Sequence, residues 1–66
     1  MNYYFKDLWG AEFDVRHIKE IDKGFIEMYD GTRFSFNAID LDSLKESLQF
    51  VKRRYDKFVK EIVKYE

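Results

Sequence analysis

Three glycines and no proline punctuate this 66-residue chain, and each glycine closes a short polar or aromatic run between stretches of alternating apolar residues. The runs are Leu8-Trp9-Gly10, Asp22-Lys23-Gly24 and Tyr29-Asp30-Gly31. Glycine enters the φ > 0 region at little cost, so each run reads as a hairpin turn, a type I turn closed by a G1 bulge. Three turns separate four strands, over about residues 2–7, 11–21, 25–29 and 32–37, and one helix over about 41–65 follows. The expected class is α+β: a bulged, curved, four-stranded antiparallel meander packed on one long C-terminal helix, as a single domain over 1–66.

The strand registers follow from asking which pairing leaves one apolar face. A two-residue Asp30-Gly31 loop sets Phe34 opposite Glu27. A three-residue loop instead pairs Met28 with Thr32 and Ile26 with Phe34, and brings Glu27 near Arg33 on the other face. The same geometry at the first turn pairs Asp7 with Ala11, Phe5 with Phe13 and Tyr3 with Val15. Phe13, Val15, Ile18 and Ile21 do not keep a period of two, which predicts a β-bulge between Arg16 and Lys19.

In the last third, Leu44, Leu48, Val51, Tyr55, Phe58, Ile62 and Tyr65 recur at four-three spacing without a helix breaker. Asp40 is the candidate N-cap, with Ser43 and Glu46 as an alternative capping box. A continuous helix over 41–65 is roughly 36 Å long at 1.5 Å per residue. A six-residue strand spans about 20 Å. The last two turns therefore overhang the sheet, and their apolar stripe of Phe58, Val59, Ile62 and Val63 calls for a second copy or another protein.

The chain is near the size at which one core barely offsets chain entropy. Its 12 basic and 13 acidic residues give a net charge of −1, so no global field draws it to nucleic acid or to anionic lipid. Residues 1–40 hold five bases against eight acids and residues 41–66 seven against five, which confines basic character to the helix half. Without cysteine there is no disulfide framework, thiolate metal site or thiol nucleophile. No leader or membrane-spanning pattern stands in the sequence, and a cytoplasmic setting, in a cell or in a virus-infected one, is the expectation.

Candidate residues carry weak chemistry. His17, the only histidine, has no nucleophile in a recognisable motif to act with, so no catalytic role and no enzyme activity are expected. Asp40, Asp42 and Glu46 lack the Ca²⁺-loop spacing and suit a helix N-terminus, so no metal or cofactor is expected. Trp9 and Phe50 are anchor candidates for a protein partner, together with the helix-end residues Phe58, Val59, Ile62 and Val63. On the outer sheet face, Tyr4, Arg16, Lys19, Phe25, Tyr29 and Arg33 mix aromatic and basic character. With the helix stripe Arg53, Lys57, Lys60 and Lys64 they make a candidate surface for single-stranded nucleic acid. The order of four antiparallel strands and a C-terminal helix is similar to that of dimeric single-strand-binding transcription coactivators, a likeness of topology that matches no motif of this chain.

The expectation is thus a small non-enzymatic protein that works by protein-protein contacts as a homodimer. Regulators or inhibitors, including those of phages and mobile elements, are often this short. The alternative is a single-stranded nucleic-acid binder.

Overall fold

The computed structural model describes residues 3–22, 24–52 and 54–65. Strands β1 (Tyr4–Lys6) and β2 (Glu12–Asp14) form one antiparallel pair. A 3-10 turn at Val15–His17 leads into β3 (Ile18–Asp22), β4 (Phe25–Met28) and β5 (Arg33–Ser35), which form a second antiparallel sheet in that order. A further 3-10 turn at Phe36–Ala38 precedes helices α1 (Leu41–Leu48) and α2 (Tyr55–Tyr65). The α+β class with antiparallel sheets stands. The single meander and the single long helix do not.

The turns are as the glycines require, with φ of 92° at Gly10, 85° at Gly24 and 92° at Gly31. The expected registers appear: Phe5 faces Phe13, Ile26 faces Phe34 and Glu27 faces Arg33. Backbone bonds extend them, from Asp7 to Ala11, Val15 to Tyr3 and Met28 to Thr32.

The expected second strand, residues 11–21, is instead two strands in two sheets. Val15 and Ile18 are both fully buried, and an inward pair three residues apart fits a 3-10 turn, not the alternation of a strand. Asp14 caps this turn by accepting from the Arg16 backbone N–H at 2.9 Å. The expected irregularity is present as well, as a register shift between Ile18 and Glu20.

The helix divides without proline or glycine. Asp40 caps α1, accepting from the N–H groups of Asp42 and Ser43 and from the Ser43 hydroxyl at 3.0 Å. At its other end, Gln49, Phe50 and Val51 each donate to the carbonyl three residues earlier, tightening the chain out of α geometry. A straight helix would run roughly 36 Å, whereas the molecule's largest extent is 26 Å. The break lets Val51, Phe58 and Ile62 join Leu44 and Leu48 in one core beneath both sheets.

Arg54 fixes the break to the sheet. Its guanidinium donates to the carbonyls of Ile18 and, at 2.6 Å, Lys19, at the register shift of β3. The cation also lies 5.0 Å from the Phe58 ring centroid and 5.2 Å from that of Tyr29. Arg54 is thus a tertiary tie between α2 and the bulged strand.

Candidate functional site

The first hairpin presents the most exposed large apolar side chains of the described residues. Between β1 and β2, the buried Asp7 accepts from the backbone N–H of Trp9 at 3.0 Å and of Ala11 at 2.8 Å. Gly10 N–H donates to the Asp7 carbonyl at 3.1 Å, and Leu8 N–H donates to the Ala38 carbonyl at 2.7 Å. With the Asp7 N–H bond to the Ala11 carbonyl, five hydrogen bonds thus hold the loop of residues 7–11. Its side chains point away from the core: Leu8 is 67% exposed and Trp9 80%. An ordered backbone here displays a leucine and a tryptophan to water.

A second feature lies between the two sheets. A groove of about 450 Å³ runs along β2 and the end of the β4–β5 hairpin, with Phe13, Met28 and Phe34 among its lining residues. The Phe13 and Phe34 rings stack at 4.6 Å, tilted by 31°. Glu12, Asp14, Asp30 and His17 are also among its lining residues. Arg16 binds both oxygens of Asp14 and holds that carboxyl below its ordinary range, chiefly through the side-chain hydrogen bonds. Asp30 is also lowered, first by the backbone N–H of Thr32, which donates to it at 2.9 Å.

The residues singled out from the sequence are scattered. Phe58 and Ile62 are fully buried in the chain's own core, which takes them off the candidate partner surface. This corrects the overhanging stripe: α2 turns back under the sheets, leaving Val59 half-buried and only Val63, at 55%, well exposed. Phe50 is 39% exposed and packs edge-on against Tyr3 at 6.1 Å, so it is partly a satellite of the core. Of the nucleic-acid set, Tyr4 lies in β1, Arg16 in the 3-10 turn between the sheets, Lys19, Phe25 and Arg33 in the three-stranded sheet, and Tyr29 just past the end of β4. The two described arginines of that set are engaged: Arg16 covers Tyr3 at 4.2 Å and Arg33 covers Phe25 at 4.8 Å. Lys57, Lys60 and Lys64 are exposed on α2, and Arg53 lies outside the described residues. The expected single platform of aromatics and bases is divided between two sheets and a helix.

Two contributors were missed in the sequence. Asp7 organises the first loop, and the signal was an Asp two residues before the N–H it accepts, the Asx-turn pattern. Arg54 had no such signal, since its acceptors lie more than thirty residues away in sequence. Among the described residues no group of three His, Asp or Glu side chains converges as a metal site, and no helix is long and apolar enough to cross a membrane.

No family model matches the chain, and neither the curated proteins nor the solved structures compared with it give a match.

Proposed function

We propose that this chain is a non-enzymatic protein-binding module whose principal contact is the Leu8–Trp9 loop. The observation that carries the reading is the pairing of exposure with order: two large apolar side chains stand in water on a backbone fixed by Asp7 and by the Ala38 carbonyl. A preformed loop loses little conformational entropy on docking, and a tryptophan is among the commonest anchors of protein interfaces. A regulatory or inhibitory role in the cytoplasm belongs to the proposal, as work a small module does by occupying a surface of a larger protein.

Self-association is not part of it. The homodimer was inferred from an overhanging helix end, and Phe58 and Ile62 lie against their own core. The nucleic-acid reading has less support, because its aromatics do not share one sheet and acidic residues adjoin them.

The test is capture of a partner from the native host by immobilised protein, with a Leu8→Ser/Trp9→Ala double variant beside the wild type. Both substitutions are at exposed positions, so each is expected to change stability by no more than about 0.5 kcal/mol. The expected result is a specific partner retained by the wild type and lost by the variant. A partner held equally by both removes the loop as the contact.

A further inference from the structure

The open edge of β2 and the groove beside it form a second interaction surface with its own chemistry. Phe13 exchanges backbone hydrogen bonds with Phe5 of β1, as the flanking bonds from Asp7 to Ala11 and from Val15 to Tyr3 require in an antiparallel pair. The N–H and C=O groups of Glu12 and Asp14 therefore point the other way, to an edge that no strand among the described residues pairs. These two residues line the groove, whose apolar floor is Phe13, Met28 and Phe34.

We propose that this groove receives an extended peptide segment of a partner protein, apolar and basic at alternate positions, which adds to the open edge of β2 as a further strand. The proposal rests on the reading of the chain as a protein-binding module, but it uses a surface other than Leu8 and Trp9. An exposed strand edge supplies main-chain bonds to any extended chain, and the side-chain surroundings decide which chain is taken. Strand geometry sets the alternation: a residue opposite Phe13 projects to the apolar floor, while its neighbours lie on the face of Glu12 and Asp14. Charge selects the neighbours. Asp14 is matched by Arg16, but Glu12 and Asp30 have no ion-pair partner among the described residues, which leaves the groove acidic with His17 as its only basic lining residue. Lysine or arginine flanking an apolar residue satisfies both faces.

The probe is a capped hexapeptide alternating lysine and valine, titrated into the isotopically labelled full chain and followed by amide chemical shifts and hydrogen exchange. Controls are the glutamate–valine analogue and a block peptide of three lysines followed by three valines. Saturable shifts and slowed exchange at the Glu12 and Asp14 amides are expected, with affinity at least ten-fold weaker for both controls. Glu12→Lys, which keeps the backbone and reverses the charge, weakens binding by a similar factor. Glu12→Pro removes one outward N–H and spares the bonds to β1; it abolishes the slowed exchange at Asp14, and should it fail to fold, Glu12→Lys alone decides.

Equal binding of the glutamate peptide overturns the proposal, as do shifts confined to Leu8 and Trp9. Glu12 and Asp14 amides already protected in a free protein of dimer mass also overturn it, by assigning the edge to a second copy. Absence of peptide binding up to millimolar concentration, with Trp9-dependent partner capture intact, sinks the groove and leaves the protein-binding reading standing.

Discussion

Replacing Asp7 by alanine removes the acceptor for two backbone N–H groups without touching the side chains that the loop displays. The bonds to Trp9 and Ala11 are 3.0 and 2.8 Å long and partly buried. A bond to a carboxylate is worth about 1.5–3 kcal/mol when its alternative is an unsatisfied group, and nearer 1 kcal/mol where water can replace the acceptor. Both donors belong to a surface loop, so the lower figure applies, and the loss comes to about 2 kcal/mol. A chain of this size has a total stability of roughly 3–10 kcal/mol. At about 4–8 °C per kcal/mol, the thermal midpoint falls by roughly 8–16 °C. Urea unfolding of wild type, Asp7→Ala and Asp7→Asn at neutral pH, followed by far-ultraviolet circular dichroism, measures the loss. Asparagine keeps a carbonyl acceptor and is expected to recover about half of it. The alanine variant should also bind any Trp9-dependent partner more weakly, because the loop would have to be ordered on docking. An Asp7→Ala midpoint indistinguishable from that of the wild type refutes the claim that this carboxylate holds the loop.

Arg54→Met keeps the apolar stem over Phe58 but leaves the Ile18 and Lys19 carbonyls to water, for an expected cost of about 1–2 kcal/mol. Slow exchange of the first α2 amides persisting in that variant would contradict the tie between helix and bulge. The two faces of α2 separate sharply: Phe58→Ala costs about 3–5 kcal/mol by emptying a fully buried site, whereas Val63→Ser stays within about 0.5 kcal/mol, both read by urea unfolding. Acid sensitivity follows from Asp14 and Asp30, whose carboxyls are lowered from the ordinary 3.8 in the folded chain. Their contribution is complete above the unfolded value and is lost as pH falls through the lower folded values, so the urea midpoint declines below about pH 4. Arg16→Ala should flatten that decline, and a wild-type midpoint that rises between pH 4 and 2 would be the opposite of what these two groups dictate.

The parts of the fold legible in the sequence are those decided within one hairpin. Gly10 and Gly31 fix where the chain reverses, and the demand for a one-sided apolar face fixes Phe5 against Phe13 and Ile26 against Phe34. The departure of Val15, Ile18 and Ile21 from alternation was also visible, but a bulge in one strand and a 3-10 turn between two sheets leave the same spacing. The helix break was not visible, because Val51, Tyr55, Phe58 and Ile62 keep a four-three seam across it. What accompanies the break is tertiary: two carbonyls on β3 that Arg54 reaches from far along the sequence. Trp9 was legible as a candidate, but its orientation was not. That depends on Asp7 turning inward to the loop's N–H groups.

The central claim is that the folded chain holds Leu8 and Trp9 out in water. Trp9 is the only tryptophan, so tryptophan fluorescence, excited selectively over the tyrosines, reports on this loop alone. The decisive measurement is quenching by acrylamide in the native protein, from low to high micromolar concentration, compared with the same protein in urea. The account predicts a water-exposed emission in both states, native quenching close to that of the unfolded chain, and no dependence on protein concentration. A native emission shifted to the blue and shielded from the quencher, at any of these concentrations, would contradict it.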